Sequence, residues 1–411
     1  MTGPDSGSEF LDGLCARTYR GDQVFRLDDE NVAVFDPLLA REANALNWPN
    51  DLIPDIWWRQ LLRRPGPRVF WKQVRSAWSG PLRGMCGAEP VAGLAGRMAG
   101  VLDERAGTDV NLVWLTQEVC VRSLLPTVVT GLGRRDTAVI TADLILKLRR
   151  LRVSGDERWP VRLAARLLLT QLRAGAVVRR ELRGRAGGHR PTQPDLLDPI
   201  ARDLLPVLGV GRAVDSVTGV LIAIVGPPGA AASCLLYELI RNPGWADRLA
   251  EELSDLAPAD LHAAPITAAP VTHRFVKEVL RMWSAPVTLT RTANHRFELS
   301  GVTLEAGHHY MLSPFVIHHN PALWPDPDTF DPDRWLPGSP RGATSGAHYV
   351  PFGWPPTACI GAGLGTIQLI LLCHLLNTRY RLRPATPSAI GMRLAVVPMP
   401  SGMRGTVELR T

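Results

Sequence analysis

A mainly α-helical fold with a small β region is what this sequence predicts, on three observations. Across residues 37–241 apolar residues recur at helical spacing, as in 93–102 and 138–151. Near Ala285 the pattern changes to short runs at 286–292, 297–302 and 309–313, with Gly301 and Gly307 placed in turns. No linker separates the two patterns and no internal repeat is visible. One large domain over residues 21–411 is therefore expected, behind a loose tail at 1–20.

The elements follow in order. Alternation across 24–35, ending at Asp36-Pro37, predicts one or two short strands with a turn. Helices come next, with breaks at Pro65-Gly66-Pro67, Ser154-Gly155 and Gly187-Gly188. The run 212–241 is a long helix that carries no charge from Ser216 to Tyr237. That is length enough for a bilayer, but Pro227-Pro228-Gly229 at its centre would strand backbone carbonyls in lipid. A core helix, broken or bent near its middle, is predicted instead. The stretch 320–345, rich in Pro, Asp and Gly, is an ordered loop; a helix spans 361–376; and 394–409 reads as a hairpin turning at Pro400-Ser401-Gly402.

Composition excludes several classes. The 411 residues are 45% hydrophobic and 21% charged, which is globular rather than disordered. Six cysteines without a CxxC pair do not make a disulfide scaffold. The N-terminal residues carry acids where a signal peptide needs basic residues and an apolar core, so a cytoplasmic protein with no membrane partner is expected. Net charge is +7, and only Lys72, Lys147 and Lys277 among the 46 basic residues are lysines. In the basic tract 149–190, Arg162, Arg166, Arg173 and Arg179 alternate with leucines and no aromatic platform is interleaved. A solvated helix face is expected there, not a nucleic-acid site.

The most informative stretch is Pro351-Phe-Gly-Trp-Pro-Pro-Thr-Ala-Cys359-Ile-Gly361. Cys359 follows a loop stiffened by prolines and directly precedes a strong helix. The helix N-terminus and nearby N–H groups favour the thiolate. A thiolate held rigidly in this way suits a single axial bond to haem iron, although a buried structural cysteine is the default for one cysteine taken alone. Two further constellations change that balance. Glu278 and Arg281 stand at i, i+3 on one helix face, and Phe330-Asp331-Pro332-Asp333-Arg334-Trp335 follows about fifty residues later. ExxR, then PDPDTFDPDRW, then FGxxxxxCxG, in that order, is a specific signature.

In this the chain resembles the cytochrome P-450 family, the haem-thiolate monooxygenases of the soluble bacterial type. The resemblance runs from about Val32 and is densest between Arg274 and Gly365. It implies the cytochrome P-450 fold, haem b (iron protoporphyrin IX) as cofactor and Cys359 as proximal iron ligand. Phe352 is then beside the sulfur, with Gly353, Ile360 and Gly361 completing the loop. Glu278, Arg281 and Arg334 become the fold-stabilising network behind the haem. Trp71 and Arg75 match the WxxxR helix whose side chains bind a haem propionate, and Arg291 matches another propionate ligand.

The pattern is broken twice. The family usually has Gly at 355 and Arg or His at 357, where this chain has Pro355 and Thr357. One propionate thus loses a charged partner, for which Trp71, Arg75 and Arg291 must compensate. The second break lies in the helix crossing the distal face, where the family usually reads (A/G)Gx(D/E)T, an acid and an alcohol that deliver protons. Here it reads Val225-Gly-Pro-Pro-Gly-Ala230, with Ser233 one turn further on. These side chains cannot relay protons, so an atypical member is expected. Three routes remain open: a substrate group lends the proton, hydrogen peroxide brings its own, or a substrate rearranges without dioxygen activation. Fatty-acid peroxygenases of the family place an arginine beside this proline, and none occurs between Arg212 and Arg241.

Other candidates are weaker. His308-His309 and His318-His319 would point to opposite faces of a strand and do not chelate one ion simply. Cys373-His374 is expected in the core, and 361–365 does not fit GxGxxG. Arg59, Arg63, Arg64, Arg68, Lys72 and Arg83 gather where the family docks its reductase, and either a solvated helix or an acidic ferredoxin accounts for them. By family position the substrate would touch Val225, Gly226, Pro228, Gly229, Ala230, Val287, Thr288, Met403 and the region of Trp57-Trp58. The expected activity is oxidation of an organic small molecule by a monomer fed through ferredoxin and ferredoxin reductase, a tailoring step of secondary metabolism. The rivals are a peroxide-driven or non-oxygenating haem enzyme, and a degenerate fold that binds without catalysis.

Overall fold

The structure is a computed structural model that describes residues 6–48, 71–152, 161–262, 267–386 and 390–410. Helix α1 (Ser6–Tyr19) occupies most of the stretch expected to be a loose tail. Leu11 and Leu14, one turn apart, are buried against Phe25 and Phe35, and that apolar contact ties the segment down. Strands β1 (Val24–Arg26) and β2 (Asn31–Val34) form the predicted pair. Helix α2 (Pro37–Asn47) starts where Asp36 Oδ1 accepts from the N–H groups of Leu38 and Leu39, both at 2.8 Å, with Pro37 in the first turn.

The helical bulk follows as α3 (Trp71–Gly84), α4 (Ala88–Asp103), α5 (Leu112–Val128), α6 (Arg134–Arg152) and α7 (Val161–Ala186), with a two-residue strand β3 (Val110–Asn111) before α5. Asn111 caps α5 through Trp114 N–H at 3.0 Å. On α7, Arg162, Arg166, Arg173 and Arg179 are exposed, as the solvated-face reading requires.

The uncharged run is two helices, α8 (Leu205–Ala223) and α9 (Pro227–Arg241), interrupted at 224–226. Pro227 and Pro228 occupy the first turn of α9, where missing N–H donors cost nothing, while continuing α8 through them would break its ladder. The predicted break therefore falls just before the proline pair. Gly209, at φ 71°, kinks the start of α8 in a conformation only glycine adopts freely. Among the described residues, the run Leu197–Arg241 is long and apolar enough to span a membrane, and 67% of its most apolar window is buried within the molecule.

Helices α10 (Pro243–Leu253) and α11 (Pro270–Met282) lead to the sheets. Strands β4 (Leu289–Thr292), β5 (Phe297–Leu299), β6 (Val302–Leu304) and β7 (His309–Leu312) lie close to the predicted runs. The main sheet has the order β1-β2-β7-β4, with β2 and β7 parallel and Arg291 opposite Tyr310. Helix α12 (Pro314–His318) carries His318, so the second histidine pair lies at a helix end and not on a strand. After the long loop, α13 (Ala362–Thr378) is apolar almost all round and buried against α4, α10 and α11, as such a helix must be.

Strands β8 (Tyr380–Pro384), β9 (Gly391–Leu394), β10 (Pro398–Ser401) and β11 (Arg404–Leu409) close the chain. Here the hairpin expectation is corrected. β9 pairs with β10 around a turn at 395–397, and Gly402, at φ 70°, passes the chain into β11, which pairs with β8 and β3 in another sheet. A glycine turn signals a change of direction, not the partner that follows.

One buried acid gives a pH prediction. Glu238 on α9 accepts from Trp283 Nε1 at 2.7 Å and Asn242 Nδ2 at 2.8 Å, yet burial pushes its carboxyl up to about 7. Between about 4.5 and 7 the native chain holds a proton that the unfolded chain has lost, so this group's contribution to stability falls as pH rises through that window. Glu238→Gln should flatten that slope relative to wild type in melts at pH 5 and pH 7.5. Parallel slopes would contradict the assignment.

Candidate haem-binding site

The Cys359 loop is built by its own backbone. Gly353, at φ 77°, turns the chain where a side chain would be strained, and Cys359 N–H donates to Phe352 C=O at 2.8 Å. Gly361 stands before α13 and brings its N–H to the Cys359 sulfur, while Gly365 N–H closes onto Gly361 C=O at 2.8 Å. Phe352 and Ile360 pack half-buried against the main core. The Cys359 side chain is closely surrounded by protein atoms and still exposed. Burial pushes its thiol up, against the opposing pull of Gly361 N–H and the Arg75 charge. The Gly361 N–H thus favours the thiolate as the sequence leads one to expect, while desolvation is the larger effect.

Trp71 and Arg75 are one turn apart on α3. Trp71 packs beside Gly219 of α8, with its ring 3.7 Å from where a Cβ would stand. Arg75 donates to the carbonyls of Ala358 and Pro356, at the foot of the cysteine, and lies 5.8 Å from the Trp48 ring centroid. Arg291 reaches in from β4, and among the described residues its buried Nε has no hydrogen-bond partner. It shares a small cavity with Asn44, Asn47, Trp48, Tyr310 and Thr357. The two asparagines escaped the sequence reading. Asn47 bonds Thr292 C=O at 2.9 Å and Asn294 N–H at 3.0 Å, and their only signal was i, i+3 spacing on α2.

Behind the loop, Glu278 is completely buried between two arginines. It accepts from Arg281 Nη2 and Nε at 2.8 and 3.0 Å, Arg334 Nε at 2.8 Å, Asp331 N–H at 3.0 Å and Trp335 Nε1 at 3.1 Å. The arginines spend their remaining donors on carbonyls of the long loop, among them Pro327, Thr329, Pro325 and Arg341. His318 is held neutral, well below its ordinary range, by burial and the Arg281 charge. It takes Val350 N–H at 2.9 Å, tying α12 to the start of the cysteine loop.

On the distal side, Val225 and Ala230 are fully buried, Val287 sits in the cluster with Phe315, and Met403 lies in the main core. Gly226 is buried at the helix break, and Pro228 and Thr288 remain partly accessible. Ile222 and Ala223, at i+3 and i+4 from Gly219, are exposed on α8. Ser233 is fully buried and bonds back to Ala230 C=O at 2.8 Å, so it faces its own helix. Trp57, Trp58, Arg59, Arg63, Arg64 and Arg68 lie outside the described residues; Lys72 and Arg83 are exposed on α3.

Gly229, where the family's alcohol would stand, has a physical reason to be glycine. A Cβ there would meet Gln117 of α5 at 2.6 Å from Cγ and 3.0 Å from Cα. Gly229→Thr should therefore cost about 1–3 kcal/mol and not restore a relay. Gln117→Ala in the same chain should recover part of that loss in thermal melts. A Gly229→Thr melt that matches wild type would show the contact to be soft.

These features describe a helical fold with a cysteine presented beneath a cationic rim, the arrangement of a haem-thiolate protein. The cytochrome P450 family's sequence profile matches residues 217–400, and solved cytochrome P450s share the fold over the whole chain. The P450DA haem domain superposes with a TM-score of 0.77, covering 100% of this chain and 94% of that one at 19% identity. A second solved cytochrome P450, CYP102L1, gives 0.71 with full coverage of both chains at 17% identity. In sequence the chain is 34% identical to cyclooctatin synthase of Streptomyces melanosporofaciens over 180 residues, 44% of this chain and 39% of that protein. It is 30% identical to cyclooctat-9-en-7-ol 5-monooxygenase of the same organism over 200 residues, 46% and 42% of the two chains. The chain thus matches about two-fifths of the length of these relatives.

Members of the family bind haem b. The residues here fit that group. The accessible Cys359 sulfur offers an axial ligand, and the buried, unpartnered Arg291 Nε is a donor of the kind a propionate satisfies.

Proposed function

We propose that this chain is a haem-thiolate monooxygenase that oxidises an organic small molecule, and that residues 21–411 form its single haem-binding unit. The observation that carries the reading is Cys359, exposed in a loop that Arg75 holds through the Ala358 carbonyl. Cys359 ligates the iron, Phe352, Gly353, Ile360 and Gly361 shape its loop, and Trp71, Arg75 and Arg291 bind the propionates. The bound haem supplies dioxygen chemistry that no amino-acid side chain offers. The protein's own part is to fix the sulfur, neutralise the propionates and orient the substrate. Pro228 and Thr288, both partly accessible, are the substrate contacts this reading assigns.

The relatives from Streptomyces support a tailoring step in secondary metabolism in the cytoplasm. Exposed Lys72 and Arg83 on α3 support docking of an acidic ferredoxin, with its reductase upstream and the enzyme acting as a monomer. A second reading, peroxide-driven or non-oxygenating turnover, is favoured by the helix break at 224–226. There Pro228 and Gly229 replace acid and alcohol, and Ser233 is turned inward.

A carbon monoxide difference spectrum of the reduced, purified protein tests the site. A strongly red-shifted Soret band at near-full haem occupancy is expected, and a protein with little haem would overturn the assignment. Turnover with a ferredoxin system against peroxide then separates the two readings. Product oxygen derived from dioxygen, with a requirement for electrons, would rule out the second.

A further inference from the structure

We propose that the cleft between α3, α4 and the helical turn at 197–203 is a second small-molecule site, which binds an organic anion with an apolar body through Arg97. It does not depend on the reading of Cys359. The cleft measures about 830 Å³, within the size range of small-molecule pockets, and one wall reaches Leu364 on α13. Met85, Pro90, Leu94 and Pro126 supply apolar surface.

What sets the cleft apart from an ordinary surface groove is the state of its charges. The acids in its far wall are already engaged. Asp195 is held by Arg185 through two bonds of 2.7 and 2.8 Å, with both side chains buried. Asp203 is held by Arg202 at 2.9 Å, and Asp198 lies within 3.7 Å of Arg185 and 3.6 Å of Arg202. Arg97 has no such partner. Its Nε donates to Ser123 C=O at 2.9 Å, which fixes the guanidinium plane, and among the described residues no carboxylate lies within 4 Å of it. Glu89 lines the exposed rim of the same cleft but stands eight residues earlier on α4, about 12 Å along the axis, too far to neutralise it. Gly93, one turn before Arg97, keeps the approach open: a Cβ there would already stand 3.5 Å from Nη1.

A half-buried guanidinium, fixed by one backbone bond and left without a counter-charge, gains most from a planar anion that it can grip with both remaining nitrogens. The apolar wall then covers a hydrocarbon portion of the same molecule. A carboxylate on an aliphatic body meets both demands, whereas a bare inorganic anion meets only the first.

The probe is decanoate, titrated calorimetrically into the purified holoprotein, with decan-1-ol as the uncharged control. The Soret band is followed in parallel to report any binding beside the haem. Wild type should show a saturable event without a Soret change, and decan-1-ol should not reproduce it. Arg97→Gln should weaken that event at least tenfold while leaving any Soret response unchanged. Arg97→Lys, which keeps the charge but not the fixed fork, should fall between the two. Circular dichroism and melting of each variant separate loss of binding from loss of fold. The proposal is overturned if no spectrally silent event appears below about 1 mM decanoate. It is equally overturned if decan-1-ol binds as tightly, or if folded Arg97→Gln binds as wild type does.

Discussion

Glu278→Ala is expected to leave no cooperatively folded protein at ordinary temperature. Two guanidinium groups, fully buried, face this one carboxylate. Breaking a buried pair by removing one partner costs about 3–5 kcal/mol, because the remaining charge cannot return to water. Here one truncation exposes two cations and also strands the Trp335 indole N–H and the Asp331 N–H. A domain's whole stability is about 5–15 kcal/mol, so the loss approaches the total. Arg334→Ala should do nearly as much, since it frees Pro325, Asp326, Thr329 and Arg341 carbonyls together and loosens the loop that leads to Cys359. Arg341→Ala is the internal control. Its side chain is 43% exposed and pairs with Asp326 and Asp331 at 3.2 Å, so about 1 kcal/mol or less is expected. Chemical denaturation of the three variants gives the ordering. A Glu278→Ala transition close to that of wild type would mean that the network orders the loop without stabilising the fold.

How much of this was legible in the sequence depends on the range of the interaction. The strands at 289–292 and 309–312, the caps and breaks around Pro37 and Pro227, and the glycine at 353 are decided by residues within a turn of one another, and they lie where the spacing places them. The Glu278–Arg281 pair was legible from its i, i+3 spacing on one helix face, and Arg334 as the third member only through the resemblance to the family. The direction a side chain faces was not legible. Val287 and Met403 pack in buried clusters, and a half-turn of helix or one residue of strand register decides which side of such a segment a side chain takes. Asn44 and Asn47 were invisible, since nothing local says that two polar residues on an amphipathic helix will meet Arg291 and Tyr310. The α1 segment reads as a tail because its anchor, Phe25 and Phe35, lies outside it.

Cys359→Ser should remove the red-shifted carbon monoxide band altogether and lower haem content, while the fold survives. Cys359 is exposed and is not part of the buried core, so loss of its sulfur opens no internal cavity. The loop is held by bonds that do not involve it: Cys359 N–H to Phe352 C=O, Gly353 N–H to Val350 C=O, and Arg75 to Ala358 C=O. A serine hydroxyl fits the same space, yet it is a harder and more weakly donating ligand than a thiolate. A melting temperature within a few degrees of wild type, together with a lost thiolate spectrum, is therefore the expected pair of results. Arg75→Ala gives the contrasting signature. It should retain the thiolate band at reduced occupancy, because the arginine contacts the loop carbonyls and stands where a propionate would be neutralised, not where the axial bond forms. If Cys359→Ser kept the wild-type spectrum, another residue would be the ligand. The remaining five cysteines offer little to that alternative. Cys120, Cys234 and Cys373 are buried with thiols pushed up by desolvation, and Cys15 and Cys86 are half-buried with the same direction of shift, whereas Cys359 alone is exposed. Access and rigidity together, more than the thiol's own acidity, are what select this cysteine.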